Sequence, residues 1–152
     1  MKKKTIEEYI EKIYVIEKRE GRARTSVIAM EMGVKDSSVT EMMQKLKKKE
    51  LVEYEPYHGV RLSDTGKKLA DDLMKRHVII ADFLEIIGVE DDLAEIDACQ
   101  IEHHVSTETM ERLEKFVEFI NDAPQDPKWI EHFEHYLKTG ERRECKFYKE
   151  ES

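Results

Sequence analysis

Two apolar stripes at helical spacing, Val27, Ile28, Ala29 and Met32 and then Val39, Met42, Met43 and Leu46, mark two short helices joined across Gly33-Val34-Lys35. So short a link forces the two helices to cross steeply over one core, which is the helix-turn-helix arrangement. Thr25 or Ser26 is the expected cap of the first helix. Asp36, Ser37 or Ser38 is the expected cap of the second, which runs to about Lys49. Directly afterwards Leu51-Val52-Glu53-Tyr54 and Val60-Arg61-Leu62 alternate as strands around Glu55-Pro56-Tyr57-His58-Gly59. A hairpin in that place is a wing.

The flanking segments are helical. Residues 5–20 carry Ile6, Tyr9, Ile10, Ile13, Tyr14 and Ile16 at helical spacing, with Thr5 and Glu8 as a capping box and Gly21 as the stop. Asp64 or Thr65 opens a helix over residues 64–87, through Leu69, Leu73, His77, Ile80, Phe83 and Leu84, closed by Gly88. Two further helices are expected at 91–106 and 107–120. Residues 121–127 form a hinge, and a last amphipathic helix carries Trp129, Ile130, Phe133, Tyr136 and Leu137 and ends at Gly140. The expected fold is mainly α: a winged helix-turn-helix domain at 1–72, an all-helical dimerisation and metal-binding domain at 73–142, and a loose tail at 143–152.

Charge divides along the same line. Residues 1–76 hold 18 Lys and Arg against 14 Asp and Glu, whereas residues 77–152 hold 8 against 20. A polyanion-binding first part followed by an acidic second part produces such a split. No apolar run is long enough to span a bilayer, the Lys-rich start lacks a signal-peptide core, and two distant cysteines make no disulfide framework. A cytoplasmic protein without membrane contact is expected.

The second helix of the pair offers Ser37, Ser38, Thr40, Glu41, Gln44, Lys45 and Lys48 on its outer positions. Hydroxyls at a helix N-terminus suit phosphates, Gln44 suits adenine and Glu41 suits the cytosine amino group. Lys45, Lys48, Arg22, Arg24 and Arg61 are candidate phosphate contacts, and Tyr57 and His58 are placed to reach DNA from the wing tip. Winged helices also serve as protein-interaction modules, here with a structural metal, and that is the alternative reading.

On the helix expected at 91–106, Cys99, Glu102 and His103 stand at i, i+3 and i+4, so a thiol, a carboxylate and an imidazole share one face. Taking such groups from water together is unfavourable unless something pairs them. His104 faces about 100° away. Glu8 and Glu11 repeat the i, i+3 spacing, and His77 lies in a third helical stretch; taken singly, these three also read as solvated charge and a semi-buried histidine. The pattern Cys99-x-x-Glu102-His103 resembles an inverted zincin motif, yet no substrate cleft accompanies it. No enzyme activity and no organic substrate are expected.

Together these segments resemble the diphtheria toxin repressor family, specifically its short manganese transport regulator branch. The resemblance is carried by Glu-Tyr-Ile-Glu-Lys-Ile-Tyr at 8–14, Ser-Ser-Val-Thr at 37–40, Gln-Lys-Leu at 44–46, Gly-Lys-Lys at 66–68, Arg-His at 76–77, Ile-Ile-Gly-Val at 86–89 and Ile-Glu-His-His at 101–104. It implies a homodimeric repressor that grips double-stranded operator DNA of metal-uptake genes when Mn(II) or Fe(II) is abundant. It also implies Glu8, Glu11, His77, Cys99, Glu102 and His103 as ligands. Two positions depart from the manganese branch. Cys99 stands where that branch has an acidic residue and the iron branch has Cys, whereas Glu8 is nearer the manganese branch's Asp than the iron branch's Met. Ala81 lacks the carboxylate of the iron branch's second site, and no counterpart of the SH3-like domain of longer members is expected. A thiolate favours softer ions, so Fe(II) is expected slightly ahead of Mn(II), with Co(II) and Zn(II) as substitutes in vitro.

Overall fold

The computed structural model describes residues 2–125 and 127–143. Its elements are α1 (Lys3–Glu20), α2 (Thr25–Met32), α3 (Asp36–Lys48), β1 (Val52–Glu55), β2 (Gly59–Leu62), α4 (Asp64–Ile86), α5 (Asp91–Ile101), α6 (Thr107–Asn121) and α7 (Lys128–Thr139). The expected order of a helix-turn-helix, a wing and a helical second half is present. Cys145 lies outside the described residues, as do the tail residues from 144 onward.

The apolar stripes do the packing. Ile10, Ile13 and Ile16 of α1, Ile28 of α2, and Val39, Met43 and Leu46 of α3 are fully buried in one core. The hairpin is antiparallel, pairing Val52 with Leu62 and Tyr54 with Val60, so these four side chains turn inward while Glu53 and Arg61 turn out. Ala23 extends the ladder: its N–H donates to Val60 O at 3.0 Å, and Val60 N–H returns to Ala23 O at 2.7 Å.

The caps differ from the sequence expectation. α1 begins at Lys3 with Lys2 at its cap, so Thr5 lies inside the helix and the Thr5–Glu8 capping box does not form. The lysines at 2–4 are good helix formers, and extending through them gains backbone bonds that a cap at Thr5 forgoes. Likewise Arg24 and Lys35, rather than Thr25, Ser26, Asp36, Ser37 or Ser38, occupy the caps of α2 and α3. Asp36 instead sits in the first turn of α3, where a negative charge complements the dipole.

α4 is capped by Ser63, whose Oγ accepts from Gly66 N–H at 3.0 Å and donates to Glu50 O at 2.6 Å. Gly66 is buried against Leu51, and a Cβ there would collide with the Leu51 carbonyl oxygen. From that anchorage α4 runs past both cores. Ala70 belongs to the first; Ile80 and Ala81 belong to a second with Ala98 of α5 and Met110 of α6.

α5 lies on α4 through Ala94 and Ala98, small residues that let the backbones approach, and turns Leu93 and Ile96 outward at 50% and 62% exposure. It ends at Ile101, five residues short of the expected end. Glu102, His103 and His104 form a turn, closed by His104 N–H on Ile101 O at 2.9 Å. Arg76 of α4 provides the physical reason: its guanidinium donates to the carbonyls of both Glu102 and Val105 at 2.9 Å, and a helix continued to 106 would need the Glu102 carbonyl for the Ser106 N–H. α7 buries none of its residues completely, although Trp129 packs beside Phe116 at 6.2 Å between ring centroids.

Candidate metal centre

The turn after α5 faces α1. Glu102 and His103 are both buried, and with Glu11 of α1 they bring one ligand atom each to within 4.8 Å of one another. His103 Nε2 stands 3.4 Å from Glu11 Oε2 and 3.5 Å from Glu102 Oε1. The early end of α5 matters here: Glu102 and His103 reach α1 from a turn rather than from a continuous helical face.

His77 enters from α4. Its Nδ1 lies 3.0 Å from Glu102 Oε2 and 3.7 Å from Cys99 Sγ, and its Nε2 lies 2.6 Å from Glu95 Oε2. Glu8, by contrast, pairs with Lys4 at 3.8 Å and stands outside the group of three. Thus Glu11, His77, Cys99, Glu102 and His103 converge, with Glu8 at the margin. His104 is exposed, as expected.

Burial shapes the electrostatics. The Glu102 carboxyl is pushed up to about 9, first by loss of solvent, then by its hydrogen bond to Glu11 and the negative charges of Glu11 and Glu7, with Arg76 pulling the other way. Glu102 therefore holds a proton at neutral pH. His77 sits between two carboxyl groups, with Nδ1 at Glu102 and Nε2 at Glu95. Cys99 lies at the surface but turns Sγ towards the cluster, where desolvation and then Glu102, Glu11 and Glu95 raise its thiol.

A buried carboxyl kept neutral among carboxylates, with two imidazoles in reach, is a site that a cation completes. Hard oxygen and borderline nitrogen donors fit a divalent first-row ion. Glu7, Glu95 and Arg76 were not singled out by sequence reasoning. Glu7 carries a legible signal, since Glu7 and Glu11 are one helical turn apart; Arg76 stands in the Arg-His motif at 76–77 but nothing local shows its partners 26 residues on, and Glu95 carries no signal, because its partner lies 18 residues away.

The residues expected to meet DNA lie along α3, before α2 and on the hairpin. Ser37, Ser38, Glu41, Gln44, Lys45 and Lys48 are exposed along α3, and Thr40 is half-buried with its hydroxyl on Asp36 O at 3.1 Å. Arg24 and Arg61 are exposed. Arg22 donates to His58 O at 2.8 Å and so braces the wing, at whose tip the Tyr57 ring is fully exposed with φ at 67°. Lys47 ties α3 to the wing through Tyr54 O at 3.0 Å.

Comparison with known proteins gives matches over most of the chain. Residues 1–60 match the model of the iron-dependent repressor N-terminal DNA-binding domain, and residues 63–131 that of the iron-dependent repressor metal-binding and dimerisation domain. The HTH-type transcriptional regulator MntR of Bacillus pumilus is 40% identical over 121 residues, covering 80% of this chain and 84% of the relative. That of Geobacillus thermodenitrificans is 38% identical over 140 residues, covering 92% and 97%. The solved manganese regulator SloR superposes with a TM-score of 0.63 at 32% identity over 75% of this chain, which spans 54% of that longer one.

Proposed function

The chain belongs to the iron-dependent repressor family, in its MntR-like branch, and from that membership we propose a homodimeric transcriptional repressor whose grip on double-stranded operator DNA is set by a divalent metal. The observation that carries the proposal is the gathering of Glu11 from α1 with Glu102 and His103 from the turn after α5. α1 packs in the core that holds α3 and the wing, whereas the turn follows α5 on the second core. A ligand set drawn from both sides ties the reading head to the rest of the molecule.

The proposed ligands are Glu11, Glu102 and His103, joined by His77, Cys99 and Glu8. A divalent ion supplies positive charge among carboxylates that otherwise need a shared proton. An ion held there would favour the ionised form of Glu102, with the His77 and His103 imidazoles as neutral donors. With α1 held against the turn, the two α3 helices of a dimer are restricted in their relative motion, which lowers the ordering needed to grip both half-sites. Linkage requires the ion to be held more tightly on operator DNA. The division at 1–72 and 73–142 follows this reading, with α4 shared between the two parts.

Mn(II) and Fe(II) both suit the oxygen and imidazole donors. The solved relative named above is a manganese regulator, while the Cys99 sulfur beside His77 adds a softer donor that favours Fe(II). Regulation of metal-uptake genes in the cytoplasm follows from the same proposal; among the described residues no helix is long and apolar enough to cross a membrane.

The test is fluorescence anisotropy of duplex DNA from upstream of the protein's own gene, first with chelator and then with anaerobic Mn(II), Fe(II), Co(II) and Zn(II). Salt-sensitive binding that appears only with metal is expected. Binding of equal strength in chelator would refute metal control.

A further inference from the structure

Glu7 is one of only three buried polar or charged residues among those described, the others being Glu102 and His103. It lies on α1 one helical turn before Glu11, and its Oε2 stands 2.8 Å from His103 Nδ1. Lys3, at 3.5 Å from the other carboxylate oxygen, is exposed and adds little. The polar partner inside the fold is His103.

A neutral imidazole has one N–H and one bare nitrogen, and only the bare nitrogen can bind a metal. In the 2.8 Å contact the Glu7 carboxylate is the acceptor, which puts the hydrogen on Nδ1. The bare nitrogen is then Nε2, the atom that faces Glu11 and Glu102. Left alone, a bare nitrogen 3.4 Å from the Glu11 carboxylate is disfavoured, because the ring would turn its N–H to that oxygen instead. Something has to hold the proton on the far side.

We propose that Glu7 is a positioning residue that locks His103 in its Nδ1–H tautomer and so presents Nε2 as a donor before any ion arrives. This rests on the metal-dependent reading above. Glu7 belongs to α1 and His103 to the turn after α5, so the same hydrogen bond keeps the two sides of the site together in the metal-free protein. Hydrogen-bond partners of metal-bound histidines fix ring orientation in this way, and their removal weakens metal binding by about 10- to 100-fold.

The experiment is long-range 1H–15N NMR of the His103 ring in the metal-free full chain at pH 8, together with Mn(II) titration, for wild type, Glu7→Gln and Glu7→Met. Gln keeps an acceptor for Nδ1–H; Met fills the space without one. The expected result is an Nδ1–H tautomer in wild type and Glu7→Gln, its loss in Glu7→Met, and Mn(II) affinity lowered by about 10- to 100-fold in Glu7→Met but largely retained in Glu7→Gln. An Nε2–H tautomer or a doubly protonated ring in wild type overturns the proposal, and needs no variant to fold. Equal loss of affinity in both variants with the tautomer unchanged also overturns it, because Glu7 would then be a ligand itself. If the tautomers follow the expectation but wild type binds no Mn(II), the metal-dependent reading fails and the orientation of His103 by Glu7 stands.

Discussion

Replacing Glu102 by Gln should stabilise the metal-free protein and abolish its response to metal. Burial and the neighbouring Glu11 push the Glu102 carboxyl up to about 9 in the fold, from 4.5 as a free side chain. Between those values the folded state holds a proton that the unfolded state has released, so stability falls as pH rises, by up to about 1.4 kcal/mol per pH unit. At pH 7, two and a half units above the unfolded value, this amounts to about 3 kcal/mol. The loss is absent below pH 4.5 and complete above pH 9. Gln is neutral at every pH, has nearly the same shape, and its amide N–H replaces the carboxyl O–H in the hydrogen bond to Glu11. Urea unfolding in chelator, at fixed protein concentration, should therefore find the two proteins alike near pH 5 and the variant more stable by about 3 kcal/mol at pH 7, with the gap widening towards pH 8. Groups other than Glu102 titrate in both proteins and largely cancel in the difference. Added Mn(II) should stabilise wild type through mass action and leave the variant unmoved. Parallel pH profiles for the two proteins would refute the burial argument, and equal stabilisation by Mn(II) would refute the ligand assignment.

Metal affinity of wild type should weaken as pH falls from 8 to 6, because the ion competes with protons on Glu102 and on the raised Cys99 thiol; calorimetry showing a flat profile contradicts this. Cys99→Glu should move preference from Fe(II) towards Mn(II), and an unchanged order in competition assays removes Cys99 as discriminator. Gly66→Ala should destabilise the protein by more than about 2 kcal/mol, since a Cβ meets the Leu51 carbonyl and the Ser63 cap must shift; unfolding at the wild-type urea midpoint would show that the loop yields freely.

Much of the fold was legible because its signals are local. The link at Gly33-Val34-Lys35 and the alternation in Val52–Glu55 and Gly59–Leu62 act over a few residues, and the structure follows them closely. The caps were less legible. A Thr, Ser or Asp offers a cap, but helix formers such as Lys2 to Lys4 can extend past it, and that competition is decided by backbone bonds on both sides of the start. The end of α5 was not legible at all, because Arg76, 26 residues away from Glu102, claims the carbonyls there.

By itself the sequence determined which residue types are available for chemistry: a thiol, carboxylates and imidazoles that no apolar core would tolerate unpaired, and a basic first half fit for a polyanion. The tertiary structure alone decided how they are used. It set Glu7 rather than Glu8 against His103, gave His77 a second carboxylate in Glu95, and turned Glu102 into a buried acid. Helical spacing specifies only which residues share a side of one helix. Which nitrogen is bare, and which carboxyl keeps its proton, depends on contacts between α1, α4 and the turn after α5, and on the water those contacts exclude.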